Sequence, residues 1–269
     1  MPLNRPSPPS WSRRHLLRAT ASSLGALSVS LPLSLPFSLS AGALGPSSQL
    51  DVAEIVLPSG TTSRPRAWER LLFEVINSTS VTANPSAVQV APEDPLLFRH
   101  PFSVLLGAGQ LPALSDVAIE QLVRYLSYGG FIIIDDTTGS LGGPFARSVR
   151  QLCRRLFPTR PLAPLPADHS IYRAFFLIDR PMGRLDLAPE LEGVTIGPVT
   201  PLVFCPNDLS GALDRQADGR DRFPVVPGGD DQRREAVKLA VNLVMYSLTS
   251  NYKHDQAHVA ELMRDGRIE

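Results

Sequence analysis

"GGFIIIDDTTGS", Gly129 to Ser140, decides the fold class. Four apolar residues, Phe131 to Ile134, form an unbroken run that ends on two carboxylates, Asp135 and Asp136. A strand buried on one face alternates apolar and polar residues. A continuous apolar run is the mark of a strand covered on both faces, as in a parallel sheet between two helical layers. Val104-Leu105-Leu106 repeats the pattern.

The flanking segments fit that layering. "QLDVAEIVLPSG" reads as a first strand over Asp51 to Leu57, and "RPRAWERLLFEVINSTS" as a helix with Trp68, Leu71, Leu72, Val75 and Ile76 on one face. Ala87 to Val90 and Phe102 to Leu106 read as further strands. "LSDVAIEQLVRYLSYGG" is a helix with Ser115 as N-cap and Gly129 at its close. Pro144 to Phe157 is another helix, and a short one begins near His169 with Asp168 placed to cap it. Thr195-Ile196 and Leu202 to Phe204 are late strands. "DDQRREAVKLAVNLVMYSLTSNYK" is a long helix capped by Asp230 or Asp231, and the polar tail, 254–269, is expected to fray as a separate short helix. Alternating strands and helices give an α/β fold with a mostly parallel sheet, one domain over 44–253 and no internal repeat.

The N-terminus reads as a leader. Arg13-Arg14 precede Leu16-Leu17-Arg18, a weakly apolar stretch follows, and Ala41-Gly42-Ala43 offers a small-residue cleavage site. The pattern over 1–43 resembles a twin-arginine export signal, in preference to an ordinary secretory signal or an uncleaved anchor. Pro32 and Pro36 disfavour a spanning helix. Export, most directly to the periplasm, is therefore expected. Lysine plus arginine and aspartate plus glutamate are equal at 26 each. No basic stripe offers phosphate neutralisation along a nucleic acid, so nucleic-acid binding is not expected. Export permits a disulfide, yet nothing in the sequence brings Cys153 and Cys205 together, and two buried free thiols are the plainer reading.

In an open parallel sheet, ligands bind beyond the carboxyl ends of the strands. There the sequence places Ser59, Gly107, Asp135, Asp136, Asn207 and Asp208, with Asp168 and His169 from a nearby loop. Asp135, Asp136 and Asp208 offer hard oxygen ligands for a divalent metal such as Mg²⁺ or Ca²⁺, and His169 would suit zinc or a transition metal. Each residue also has a structural role open to it, as turn former or helix cap. Arg64 and Arg66 in "RPRAW" can bind an anion at the same edge, or simply pair with acids. No dinucleotide fingerprint, Walker loop, HExxH or CxxC occurs.

"RPRAWERLLFEV", "HPFSVLLGAG", "LSDVAIEQLVRYLSYGGFIIIDD", "FPTRPLAPLPADHSIYRAFF", "VFCPNDLSGA" and "RREAVKLAVNLVMYSLT", in this order from about Asp51 to Asn251, resemble the DUF4159 family of bacterial proteins. The resemblance implies a flavodoxin-like three-layer sandwich akin to the class I glutamine amidotransferases. It also implies envelope partners, since relatives are associated with MoxR-type ATPases and von Willebrand factor A-like membrane proteins. Amidotransferase chemistry needs a cysteine on a tight strand-to-helix elbow with a His–acid pair. "LLGAGQLP" has no cysteine, Cys205 precedes a proline, and Cys153 lies within a helix, so a cysteine triad is rejected. The expectation is an exported binding or accessory domain of the cell envelope. The alternative is a metal-assisted hydrolase or sugar-modifying enzyme using Asp135, Asp136 and Asp208, with His169 as acid–base.

Overall fold

Successive strand residues point to opposite faces, so the apolar run at 131–134 feeds two separate cores. Phe131 and Ile133 enter one with Trp68, Leu72 and Val203, while Ile132 and Ile134 enter the other with Tyr125, Phe145 and Val149. The computed structural model describes residues 49–264, those from 251 on as backbone alone. The expected leader over 1–43 lies outside the described residues. The described residues belong to one contact unit, Leu44–Glu269.

The chain runs β1 (Leu50–Ile55), β2 (Thr61–Thr62), α1 (Pro65–Ser78), β3 (Ala83–Val90), β4 (Phe102–Gly107), α2 (Asp116–Ser127), β5 (Phe131–Asp136) and α3 (Pro144–Leu156). It continues through β6 (Ala163–Pro164), β7 (Glu192–Ile196), β8 (Val199–Cys205), α4 (Leu209–Leu213) and α5 (Gly229–Arg264). The sheet order is β3-β1-β4-β5-β8-β7-β6, with β2 paired to β4. β3, β1, β4, β5 and β8 are parallel; β7, β6 and β2 are antiparallel additions. α1, α4 and α5 cover one face and α2 and α3 the other. The result is a three-layer, flavodoxin-like sandwich with a mostly parallel sheet, as the apolar runs require.

Several boundaries differ from the sequence reading. β3 begins four residues before Ala87, because pairing of Ala83 with Leu50 extends the strand through Pro85. β3 is an edge strand, where a proline lacking N–H costs no ladder bond on its open side. Thr195-Ile196 and Leu202–Phe204 belong to a longer hairpin, β7–β8, turned at Gly197. The two-residue strands β2 and β6 are too short to carry a period. α5 continues unbroken past Lys253, so the described part of the tail is not a separate helix. Its first turn holds Asp230 and Asp231, but the side chain returning to the Gly228 amide is Gln232, at 2.9 Å. The short helical turn near His169 begins at Ser170. Its cap is His169, which accepts from the Ile171 amide at 3.2 Å, while Asp168 is exposed. Among the described residues no helix is long and apolar enough to cross a membrane.

Candidate functional site

β1 has β3 on one side and β4 on the other, so the chain changes direction at β1 and the switch-point crevice lies between the ends of β1 and β4. In this molecule the crevice is filled by its own backbone. β2 pairs Thr61 with Gly107 and Thr62 with Leu106, and the Gly60 carbonyl accepts from the amides of Ala108 at 2.9 Å and Gly109 at 3.1 Å. Gly60 has φ 77°, and a Cβ there would stand 2.3 Å from the Gln110 carbonyl oxygen, so only glycine fits this stitch. Gly107 is buried in the stitch, and Ser59 stands exposed on the turn before it.

The strand-end acids lie beside it. β5 alternation directs Asp135 to the α4 face and Asp136 to the other. Asp135 is fully buried, and each of its oxygens accepts one amide of α4, Leu209 and Ser210, both at 2.8 Å. Asp208 precedes α4 in the left-handed region, φ 54°, a conformation that aspartate tolerates better than most residues. It caps α4 through the Gly211 amide at 3.0 Å and accepts from two guanidiniums, Arg64 at 2.5 Å and Arg184. Arg64 also reaches Ser210 Oγ at 2.9 Å. Burial first, and the neighbouring Asp208 second, push the Asp135 carboxyl up to about 6. Asp136 is equally buried and accepts from the amide and hydroxyl of Thr138, a local turn. The two neighbouring acids are thus buried alike, at 0% and 1% exposure.

Asn207 is an internal clasp. Its side-chain oxygen accepts from the amides of Leu187 and Ala188, and its nitrogen donates to the carbonyls of Pro181 and Ala188. The 181–188 loop approaches so closely that a Cβ on Gly183 would lie 2.1 Å from the Asn207 carbonyl oxygen. Asp168 and His169 are elsewhere. His169 Nε2 lies 3.0 Å from Thr200 Oγ1, at the amino end of β8 and thus at the opposite edge of the sheet. Burial lowers its pKa. The expectation that histidine and acids share one edge fails for this pair, because the proline-rich segment before it crosses to the β7–β8 turn. Among the described residues, no group of three His, Cys, Asp or Glu side chains is placed to hold a metal ion.

Three functional-edge residues escaped the sequence reading. Glu54 is buried in β1 and accepts from Trp68 Nε1 at 2.7 Å, the Arg64 amide at 2.8 Å and the Ser63 hydroxyl, which fixes the start of α1. Its signal was available: one acid inside the apolar run "VAEIVL", Val52 to Leu57. Arg184 and Phe223 come from irregular loops that carry no period. The Phe223 ring receives both guanidiniums, Arg64 at 4.8 Å and Arg184 at 5.7 Å. Beside this ring lies an open cleft of about 390 Å³ between the start of α1 and the 214–223 loop.

The sequence model of a family described as a domain of unknown function, DUF4159, matches residues 52–248. The chain belongs to the DUF4159 family. The match spans the sheet, all five helices in part or whole, and every strand-end residue described above. A comparison with curated proteins gives no match.

Proposed function

We propose that this DUF4159 chain is an exported, non-catalytic binding or accessory domain of the cell envelope. One observation carries the non-catalytic part. Three polar side chains at the carboxyl edge are consumed by internal work: Asp135 caps α4, Asp208 holds two arginines, and Asn207 clasps the 181–188 loop, while Asp136 spends one oxygen on Thr138. A general base or a metal ligand needs a lone pair facing the substrate space. At Asp135, Asp208 and Asn207 those lone pairs face backbone amides and guanidiniums. Both cysteines are buried free thiols, and burial pushes the Cys153 thiol up to about 12 and the Cys205 thiol well above its ordinary value. Neither is a nucleophile near neutral pH.

Export rests on the twin arginines and the small-residue site before residue 44. The accessory role, with MoxR-type ATPases and von Willebrand factor A-like proteins as partners, rests on the family's associations. Two experiments test the reading. Metal analysis of protein purified without chelator, with a thermal-shift panel of divalent ions, is expected to give no stoichiometric metal and no shift. A bound metal lost in Asp135→Ala would overturn it. Residues 1–43 fused to a folded reporter are expected to deliver it across the membrane, and Arg13→Lys with Arg14→Lys to retain it inside. Delivery that ignores this double substitution would remove the twin-arginine route.

A further inference from the structure

The cleft beside Phe223 carries a surplus of arginine. Arg64, Arg66 and Arg222 line it together with the ring, and Asp214 is the one acid among the lining residues. Arg222 pairs with Asp214 at 2.7 Å, and Arg64 with Asp208. Arg66 is exposed and has no ion-pair or hydrogen-bond partner among the described residues. The surplus continues one helical turn on. Arg70 shares the carboxylate of Asp221 with Arg215 and Arg233, and also meets Glu74 at 3.9 Å. The buried Nε atoms of all three lack a hydrogen-bond partner. Burial and the nearby Arg215 lower the Arg70 pKa, opposed by Asp221 and Glu74. Beneath the cleft, Glu54 and Asp135 are ionisable too, but their oxygens are turned to amides, a hydroxyl and the Trp68 indole.

Arg66 and Arg70 stand at i and i+4 on α1, where like charges repel. Arg70 is answered by Asp221 and Glu74, so the unbalanced charge on this face is that of Arg66. Guanidinium forks match planar, bidentate oxyanions better than any other group. The cleft volume falls within the range of small-molecule sites, about 300–1,000 Å³. Phe223, half-buried and stacked by Arg64 and Arg184, turns its remaining surface to the cleft, where the uncharged body of a ligand can rest.

We propose that this cleft binds a small ligand through an oxyanion headgroup, a phosphate or a carboxylate, held by Arg66 and Arg222 with its body against Phe223. The inference goes beyond the accessory-domain reading and holds for any partner that reading acquires. The test is calorimetric titration and thermal shift of the full chain with inorganic pyrophosphate and, separately, glucuronate, against sodium chloride of equal ionic strength. At least one is expected to bind saturably, and which one does so separates a phosphorylated from a carboxylated ligand. Arg66→Ala, which removes no internal bond, is expected to leave the melting temperature unchanged and weaken binding about tenfold or more. Arg66→Glu is expected to abolish it. The proposal falls if neither probe saturates, or if Arg66→Glu binds as the unaltered chain does. Metal content and reporter export are unaffected by that failure, so the accessory reading would stand without the cleft.

Discussion

The carboxyl edge of this sheet holds two neighbouring charge networks built on different terms. Around Asp208 the charges close on themselves: one fully buried carboxylate, two guanidiniums, a helix cap and an aromatic ring. Around Asp221 and the cleft they do not, since arginines outnumber the acids that pair with them. The first network is a fastener between α1, α4 and the 181–188 loop. The second keeps a cation, Arg66, facing solvent. Proximity to a strand end therefore does not by itself mark a ligand site. What separates the two is whether the charge has already found its partner within the fold.

The sharpest way to break the contrast is Asp208→Ala. It strands Arg64 and Arg184, removes the cap of α4 and puts alanine at φ 54°. Breaking a buried ion pair costs about 3–5 kcal/mol. Urea denaturation should show a loss of that order, with Arg66→Ala in parallel showing less than about 0.5 kcal/mol, as for a surface residue. Asp135→Ala should fall between them, at about 1–3 kcal/mol, because two buried amides lose their acceptor. If Asp135→Ala melts like the unaltered chain, Asp135 is not the clamp its geometry describes.

A gentler probe is pH. Asp135 titrates near 6 in the folded chain against an ordinary value near 3.8, so between these values the native state holds the extra proton. Stability falls with rising pH wherever the native state binds more protons than the unfolded one. The Asp135 contribution therefore grows as pH drops from 7 to 4. The melting temperature of the unaltered chain should rise relative to that of Asp135→Asn as pH drops over that window. The opposite trend would show that burial and Asp208 do not raise the folded-state pKa of Asp135.

The sequence exposed the layers more readily than the wiring. Unbroken apolar runs at 104–106 and 131–134 required a doubly covered sheet, and stripes such as Leu71, Leu72 and Val75 required the helices that cover it. Position along a strand placed Asp135, Asp136 and Asp208 at one edge. What those acids touch depends on contacts between residues far apart in sequence: Asp135 with Ser210, Arg64 with Asp208, Asn207 with Leu187. No periodicity encodes such pairs. His169 shows the reverse failure. The logic of strand ends put its loop near Asp208, yet the proline-rich segment before it carries it to Thr200 at the far edge.

The two cysteines lie on opposite sides of the sheet, Cys205 in the core with α1 and α5 and Cys153 in the core with α2 and α3. The sheet is thus an insulating wall between them, and no breathing motion short of unfolding can join them. The native domain should be indifferent to redox poise: dithiothreitol leaves its melting temperature unchanged, and a thiol reagent finds both sulfurs only after denaturation. On the proposed export route, crossing from a reducing to an oxidising compartment would cost the folded form nothing in thiol chemistry. The same crossing made unfolded would expose two thiols free to pair, and a fold completed beforehand removes that hazard.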